Sequence, residues 1–299
     1  MNIPKIMRNE RSLKALTGLS KEEFNKLLIT FEVVLNQVLR ENSKASKRKF
    51  GGGAKGRLPD TQSKLFFILL YEKTYPTFDF IASIIDFDKS RAVRNTHSLL
   101  SVLEKALGRT RSLPKRRINN MEDFLKSFPE AKDLFVDAVE RPVQRPRNQK
   151  KQRKLYSGKK KTHTKKTVVI TDENRKILLA TPTKSGRRHD KRIADKNSIF
   201  ENIPETVTLW ADTGFQGLLK QHTNTMMPAK ASKGKPLTYE QKQENKTISG
   251  IRILVEHAIG GMKRFKAFAD IFRNKIAFME DQVMNIAAGL WNFHLECTA

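Results

Sequence analysis

The sequence predicts a mixed α/β domain, in which helices flank one sheet, preceded by an all-α domain of the helix-turn-helix type. Two patterns lead to this prediction. Apolar residues recur at helical spacing up to residue 107, whereas strand-like apolar runs follow from residue 134 and helical spacing returns at residue 251. Strands that come first and are then mixed with helices are typical of a single sheet covered by helices.

The composition limits the classes of function. The chain has 299 residues, with 58 Lys and Arg against 31 Asp and Glu, which gives a net charge of +27 at pH 7. A folded chain with this excess of positive charge is typical of proteins that bind a polyanion, so nucleic acid is the expected partner. A basic subunit of a larger assembly is the alternative. The hydrophobic fraction of 38% excludes a wholly disordered chain.

The cysteine content and the hydropathy of the sequence indicate in which cellular compartment the protein is expected. Cys297 is the only cysteine, which excludes an intramolecular disulfide framework and a zinc site built on cysteines. No apolar run reaches the roughly 18–20 residues that cross a membrane, and the first residues lack the apolar centre of a secretion signal. We therefore expect a cytoplasmic protein with no membrane partner.

Residues 1–41 are predicted to form an N-terminal helical segment. Ser20 and Glu23 have the spacing of a capping box, and apolar residues follow at helical spacing. Residues 42–57 are predicted to be a basic, glycine-rich linker. This linker lacks the Lys-Ser/Thr that closes a P-loop, so it is either a basic loop beside DNA or a simple connector.

Residues 58–108 are predicted to form a helix-turn-helix DNA-binding domain. Helices over residues 61–73 and 77–85 precede a tight turn, after which Asp88 is placed to cap a third helix. An ordinary three-helix bundle with a solvated basic face is the alternative. The side chains expected to contact phosphates and base edges lie at the start of the third helix: Lys89, Ser90, Arg91, Arg94 and Asn95.

Residues 109–131 are predicted to be a basic linker with a short helix, and residues 132–299 the α/β domain. The apolar run LFVDAVERPV is its first strand. KKTVVITD and RKILLATP form a hairpin, and ETVTLWAD and MMPAK supply further strands. Helices are expected over residues 190–200, 251–269 and 279–295.

Two carboxylates stand in unusual positions on these strands. Asp137 lies inside an apolar strand, and Asp212 ends a strand just before a glycine turn. A charge in an apolar strand costs several kcal/mol unless it is paired or liganded, and the carboxyl end of a strand is where α/β sheets commonly build their sites. A structural Asp with satisfied hydrogen bonds is the alternative for each, but two such residues in one sheet favour a functional site.

A third carboxylate, Glu256, lies on the predicted helix over residues 251–269. Helical spacing puts Arg252, Glu256 and Lys263 on one face, where Gly260 leaves room for a ligand. A solvated stripe of salt bridges is the alternative. Three converging carboxylates can hold two Mg²⁺ ions, or Mn²⁺ as a substitute, and Arg252 and Lys263 would clamp phosphates beside them. Residues 141–166 hold twelve Lys and Arg and no acid, so they would carry the DNA backbone.

Five sequence blocks together carry a family resemblance: VDAVERPVQRP, YSGKKKTHTKK, SGRRHD, WADTGFQG and IRILVEHAIGGMKRF. The chain resembles the DDE transposases of bacterial insertion sequences, in the insertion sequence five family, which are related to Harbinger transposases. The resemblance implies a ribonuclease-H-like domain with Asp137, Asp212 and Glu256 as catalytic acids and metal ligands. In the related signature that spaces Tyr, Arg, Glu and Lys along one helix, Ser249 stands at the tyrosine position.

The resemblance also implies a function. A DNA transposase of this kind binds terminal inverted repeats, hydrolyses phosphodiesters with metal ions and transfers the freed strand to target DNA. It would act as a homodimer or larger assembly on DNA, at the nucleoid of a bacterial host. A transposase-derived regulator without catalysis and a plain Mg²⁺-dependent endonuclease are the alternatives. The presence of all three acids favours an enzyme.

The SGRRHD block, which is one of the five blocks of the resemblance, offers a rival acid. Asp190 could replace Asp212 as the second acid, although it opens a predicted helix and capping would explain it. His189 is expected to contact DNA or to have a structural role. In the basic block, Lys159, Lys160 and His163 are expected to contact phosphate, with plain solvation as the alternative.

Overall fold

The computed structural model describes residues 1–44 and 56–298. It divides the chain into two compact units. The helical unit comprises Met1–Leu113, Met262–Asp270 and Ile276–Ala299, and the sheet unit comprises Pro114–Gly261 and Ile271–Lys275. No helix of the described part is long and apolar enough to cross a membrane.

The helical unit begins with three helices, α1 (Ile3–Arg8), α2 (Glu10–Thr17) and α3 (Lys21–Lys44). Gly18 ends α2 in a left-handed conformation with φ 81°, which a residue without Cβ adopts without strain. The predicted capping box that starts α3 is confirmed: the Ser20 N–H donates to Glu23 at 2.6 Å and the Glu23 N–H donates to Ser20 at 3.2 Å. Most of the predicted linker over residues 42–57 lies outside the described residues.

The next three helices are α4 (Thr61–Thr74), α5 (Phe78–Ile85) and α6 (Lys89–Arg109), in the order that the sequence predicts. Asp86 ends α5 with φ 64°, which makes the expected tight turn. Asp88 caps α6 as predicted, since its side chain accepts the Arg91 N–H at 2.8 Å. Helix α6 packs against α4 and α5, and also against α3.

The C-terminal part of the chain differs from the predicted domain boundaries. Helices α11 (Lys266–Ala269) and α12 (Met279–Thr298) belong to the helical unit and not to the sheet unit. Helix α12 is buried along most of its length and packs on α6. Gly289 allows this close approach, because a Cβ there would lie 3.2 Å from Leu107 Cδ1 of α6 and 2.7 Å from Leu113 Cδ2. The helices of residues 1–41 and 58–108 therefore share one core with α12.

The sheet unit is built around β1 (Asp133–Pro142). This strand pairs antiparallel with β3 (Thr162–Thr171) and parallel with β6 (Thr208–Ala211), and β6 pairs parallel with β7 (Thr225–Met226). The mixed sheet flanked by helices agrees with the predicted α/β class and is compatible with a ribonuclease-H-like domain. The remaining strands all pair with β3: β2 (Tyr156–Ser157), β4 (Ile177–Ala180) and β5 (Lys184–Ser185).

Two predicted strand features can be compared directly with this sheet. The hairpin is confirmed, because β3 and β4 are antiparallel and Arg175 turns the chain between them with φ 65°. The predicted MMPAK strand is largely wrong. Strand β7 stops at Met226, two residues before Pro228, which has no N–H to donate to a strand pair.

The sheet unit contains four α-helices among its described residues. Helix α10 begins earlier than predicted, and Thr238 and Gln241 form a capping box at its start through bonds of 3.1 and 3.2 Å. It ends at Met262, so the helix predicted to continue to residue 269 is interrupted. Helix α9 is shorter than predicted, and α8 lies within the basic segment. The four are α7 (Met121–Ser127), α8 (Gln149–Leu155), α9 (Asp190–Asp195) and α10 (Tyr239–Met262).

Successive side chains of β1 alternate between two faces, so the core residues lie on one face and the candidate site residues on the other. Leu134 and Val136 are fully buried and pack with Ile193 of α9 and with Phe215. Residues on the other face of the strand include Phe135, whose ring stacks on Trp210 with centroids 6.4 Å apart. Because successive side chains of a strand point to opposite faces, Asp137 lies on the face of Phe135 and not in this core.

Candidate active site

The pairing of β1 with β6 brings Asp137 and Asp212 together. The register pairs Val136 with Ala211, and Asp137 and Asp212 are the next residues of the two parallel strands. Both carboxylates are half-buried. Asp137 accepts the N–H of Ala138 at 2.7 Å, and Asp212 accepts the N–H of Gly214. The two strand acids that the sequence singles out are therefore neighbours on one sheet.

The environment of Asp137 disfavours its negative charge. Burial raises the pKa of the Asp137 carboxyl, and the charges of Asp212 and Asp190 raise it further, whereas the Ala138 N–H and the Arg252 guanidinium lower it. A raised pKa caused by burial and by like charges is typical of functional sites. The same causes show that Asp190 and Arg252 lie within electrostatic range of Asp137.

Gly214 separates the carboxylates of Asp212 and Asp190. A Cβ at this glycine would lie 3.0 Å from Asp212 Oδ1 and 2.9 Å from Asp190 Oδ2, so a larger residue would displace one of them. Asp190 is the first residue of α9, and His189 holds the N-cap position without a side-chain cap bond. The expectation that Asp190 serves as a helix cap is therefore wrong.

Asp190 instead pairs with a buried lysine that the sequence reading did not identify. Lys166 is 8% exposed, and its Nζ lies 2.8 Å from Asp190 Oδ1, in an ion pair without hydrogen-bond geometry. The same Nζ donates to the Arg188 carbonyl at 3.1 Å and lies 3.7 Å from Glu140 Oε2. Glu140 and Lys166 are register partners on β1 and β3. This group, Lys166 with Asp190 and Glu140, is called the lysine cluster below.

The predicted third acid lies on α10. Arg252 is half-buried there, and its buried Nε has no hydrogen-bond partner among the described residues. Glu256 follows four residues later and is exposed. Lys263 is the first residue after the helix, and its place on the same face as Arg252 and Glu256 stays a prediction. Gly260 has open space around it, as expected.

The donors around the two strand acids fit a divalent cation. Carboxylate oxygens are the ligands that Mg²⁺ and Mn²⁺ prefer. Burial, with a further contribution from the charges of Asp212 and Asp190, raises the pKa of Asp137, so a bound cation would favour its charged form. Arg252 supplies positive charge in the same region, since its guanidinium lies within electrostatic range of Asp137. Within residues 1–44 and 56–298, however, no three acidic, His or Cys side chains converge closely enough to hold a metal ion.

The predicted phosphate contacts of the sheet unit are mostly accessible. Lys159, Lys160 and His189 are exposed, and His163 is half-buried beside Tyr156, with ring centroids 5.7 Å apart. The basic segment over residues 141–166 is less uniformly exposed than predicted. Arg141 and Lys166 at its ends are buried, so neither is available to contact a DNA backbone.

The predicted DNA-recognition residues lie at the start of α6. Lys89, Ser90, Arg91 and Arg94 are exposed, and Asn95 is half-buried. Two of them already pair with acids, since Lys89 lies 2.8 Å from Asp79 and Arg91 lies 3.9 Å from Asp88. Both pairs are solvent-exposed, and exposed pairs contribute little to stability, so DNA phosphates could readily replace these acids.

Comparison with known proteins supports the predicted family. A family model described as DDE superfamily endonuclease matches residues 136–292. A probable transposase for insertion sequence element IS702 from Microchaete diplosiphon is 27% identical over 291 residues, which cover 97% of this chain and 96% of that protein. No solved structure matches the chain. The predicted resemblance to DDE-type insertion-sequence transposases is confirmed, and the chain belongs to the DDE superfamily endonucleases.

Proposed function

We propose that the protein is a DNA transposase that cuts DNA at the inverted repeats of its element and joins the freed strands to target DNA. One observation carries the proposal: Asp137, in the middle of β1, lies beside Asp212, which directly follows the adjacent strand β6, and within electrostatic range of Arg252. A half-buried pair of acids beside an arginine suits phosphodiester chemistry. The similarity to a probable insertion-sequence transposase over nearly the whole chain supports the same reaction.

Three acids are proposed as the metal ligands of this reaction: Asp137, Asp212 and Glu256. Two Mg²⁺ ions, or Mn²⁺, supply the positive charge that activates a nucleophile and stabilises the leaving oxygen in such sites. The protein itself would orient the scissile phosphate. The half-buried guanidinium of Arg252, which lies within electrostatic range of Asp137, would donate to a phosphate oxygen.

A cleavage and joining assay tests this function. We expect the purified protein to release a DNA segment bounded by its inverted repeats from a plasmid in Mg²⁺, and to join the segment to a second plasmid. Chelation of the metal with EDTA should stop both steps. Cleavage without joining would favour a plain endonuclease, and specific binding with neither step would favour a regulator.

We further propose that α6 reads the inverted repeats. Base-edge contacts each contribute about 1–3 kcal/mol of discrimination, whereas phosphate contacts add affinity without sequence preference. Alanine at both Arg91 and Arg94 should therefore reduce the preference for repeat DNA over random DNA by about tenfold or more in a gel-shift titration. Alanine at Lys105, an exposed residue further along α6, should leave that preference unchanged. Full preference in the double variant would place repeat recognition elsewhere.

A further inference from the structure

A second basic site lies in the sheet unit, formed by the cavity of about 650 Å³ between α8, β2, β3 and the loop after β5. It is called the arginine pocket below. Three arginines line it, and none of its lining residues is acidic. The residues that define it for the present purpose are Arg145, Gln152, Arg153, Tyr156, His163 and Arg187.

Hydrogen bonds hold one wall of the arginine pocket in place. Gln152 of α8 accepts the Nε–H and an Nη2–H of Arg145 at 3.2 and 3.1 Å, and its amide donates to the Pro146 carbonyl at 2.7 Å. The Arg145 guanidinium is thereby oriented while other N–H groups stay available. Because guanidinium groups present several donors in one plane, such an oriented arginine suits a phosphate.

Two rings form the next part of the wall. Tyr156 of β2 and His163 of β3 are register partners, and their rings meet edge to face at 71°. The strand pairing therefore places the Tyr156 ring against the His163 ring, with centroids 5.7 Å apart, and leaves the residue 44% exposed. An exposed aromatic ring that strand pairing holds in place provides a flat surface on which a nucleobase can stack.

Arg187, on the loop that follows β5, also lines the arginine pocket. Ser185 of β5 pairs with Lys165 of β3, and its hydroxyl donates to the Lys154 carbonyl. The next residue, Gly186, donates its N–H to the Thr164 carbonyl at 3.0 Å. These bonds attach the loop to β3 and α8, so Arg187 is held at the pocket while its side chain stays exposed.

The volume of the arginine pocket and its hydrogen-bond donors indicate which kind of ligand it binds. Cavities of about 300–1,000 Å³ hold small ligands, whereas a base inside a duplex is stacked between its neighbours and must leave the helix before it can enter a pocket. A single nucleotide therefore fits where a duplex does not. We infer that the arginine pocket binds one unpaired nucleotide of a DNA strand, with its base on Tyr156 and its phosphates on the arginines. This inference rests on the proposed function only in taking the strand to be DNA.

The test compares single-stranded and duplex DNA. The probes are a fluorescent ten-nucleotide oligothymidylate and a random-sequence duplex of the same length, titrated in EDTA so that no cleavage occurs. Tyr156→Ala should weaken binding of the oligothymidylate by about tenfold to hundredfold, because a base–aromatic stack is lost. Duplex affinity should stay within about twofold, since it depends on many phosphate contacts. Tyr156→Phe should behave as the wild type.

A matched control uses another exposed tyrosine of the same unit. Tyr239 is 72% exposed, and Tyr239→Ala should change neither affinity. Equal losses for both probes with Tyr156→Ala, or no loss for either, would overturn the inference. Competition by free thymidine monophosphate at concentrations far below those of the oligothymidylate would also overturn it, because the ligand would then be a free nucleotide.

The binding test and the proposed function can fail separately. A protein that binds the oligothymidylate through Tyr156 but never cuts DNA in Mg²⁺ would retain the pocket and refute the transposase. A protein that cuts and joins DNA while Tyr156→Ala binds the oligothymidylate like the wild type would refute the pocket alone.

Discussion

Replacement of Asp137 by asparagine is expected to abolish DNA cleavage while leaving the binding of DNA ends nearly unchanged. The change keeps the shape of the side chain and removes the charge that stands beside Asp212 on the adjacent strand. Loss of one group that stabilises charge in a transition state typically costs about 10²–10³ in rate, and loss of a metal ligand should reach the upper end. Single-turnover cleavage in Mg²⁺ and a gel shift in EDTA measure the two effects.

The same variant should be at least as stable as the wild type without metal. Burial raises the pKa of the Asp137 carboxyl in the folded state, so its charged form is less favourable in the folded than in the unfolded chain. Above this pKa the charge of Asp137 therefore lowers the free energy of unfolding, and the asparagine variant lacks that charge. Urea unfolding at pH 8 in EDTA should show an equal or higher midpoint.

The control variant for this experiment is Asp195→Asn. Asp195 lies on the same unit in α9, pairs with Lys191 and is exposed, so Asp195→Asn should cut like the wild type. Wild-type cleavage by Asp137→Asn would remove this residue from the reaction. A lower unfolding midpoint for that variant would mean that the carboxylate is structural.

Glu256→Gln and Asp190→Asn are expected to separate the third catalytic acid from its rival. If Glu256 holds metal, as proposed, its replacement should reduce cleavage about as severely as that of Asp137, by about 10³. Asp190 lies beside Asp212 but is already paired with Lys166. A residue that orients a ligand without binding metal typically contributes about 10–100-fold, so Asp190→Asn should fall in that range.

The comparison is made in one cleavage assay with Mg²⁺ titrated for each variant. Asp190→Asn should recover part of its activity at high Mg²⁺, because its acids are only misplaced, whereas Glu256→Gln should recover none. The reverse ranking would exchange the roles of the two residues. It would identify the lysine cluster as part of the metal site.

The sequence was sufficient for those parts of the fold that local chemistry determines. The start of α3 follows from the Ser20–Glu23 capping box, and the start of α6 follows from the Asp88 cap. The early start of α10 also had a local signal, in the Thr238–Gln241 capping box. It was missed because the first turns of α10 are polar and carry no apolar period.

The site was predictable only in part, for a related reason. The sequence identifies Asp137 and Asp212 as candidate site residues because each is a charged residue within or directly after an apolar strand. Lys166 is one of many lysines in a basic segment, and only the pairing of β1 with β3 places it beside Glu140. Burial of a lysine depends on partners distant in sequence, which a pattern of spacing does not contain.

Because α12 belongs to the helical unit, the core of that unit cannot be completed until α12 has been synthesised. The helices before Leu113 are translated before the sheet unit, but the residues that fill their core, such as Leu290 and Phe293, are translated after it. The whole sheet unit is made in between and can fold before they arrive. Until α12 emerges, the face of α6 on which α12 packs lacks its cover, so chaperones that hold unfinished chains would act on this half of the protein.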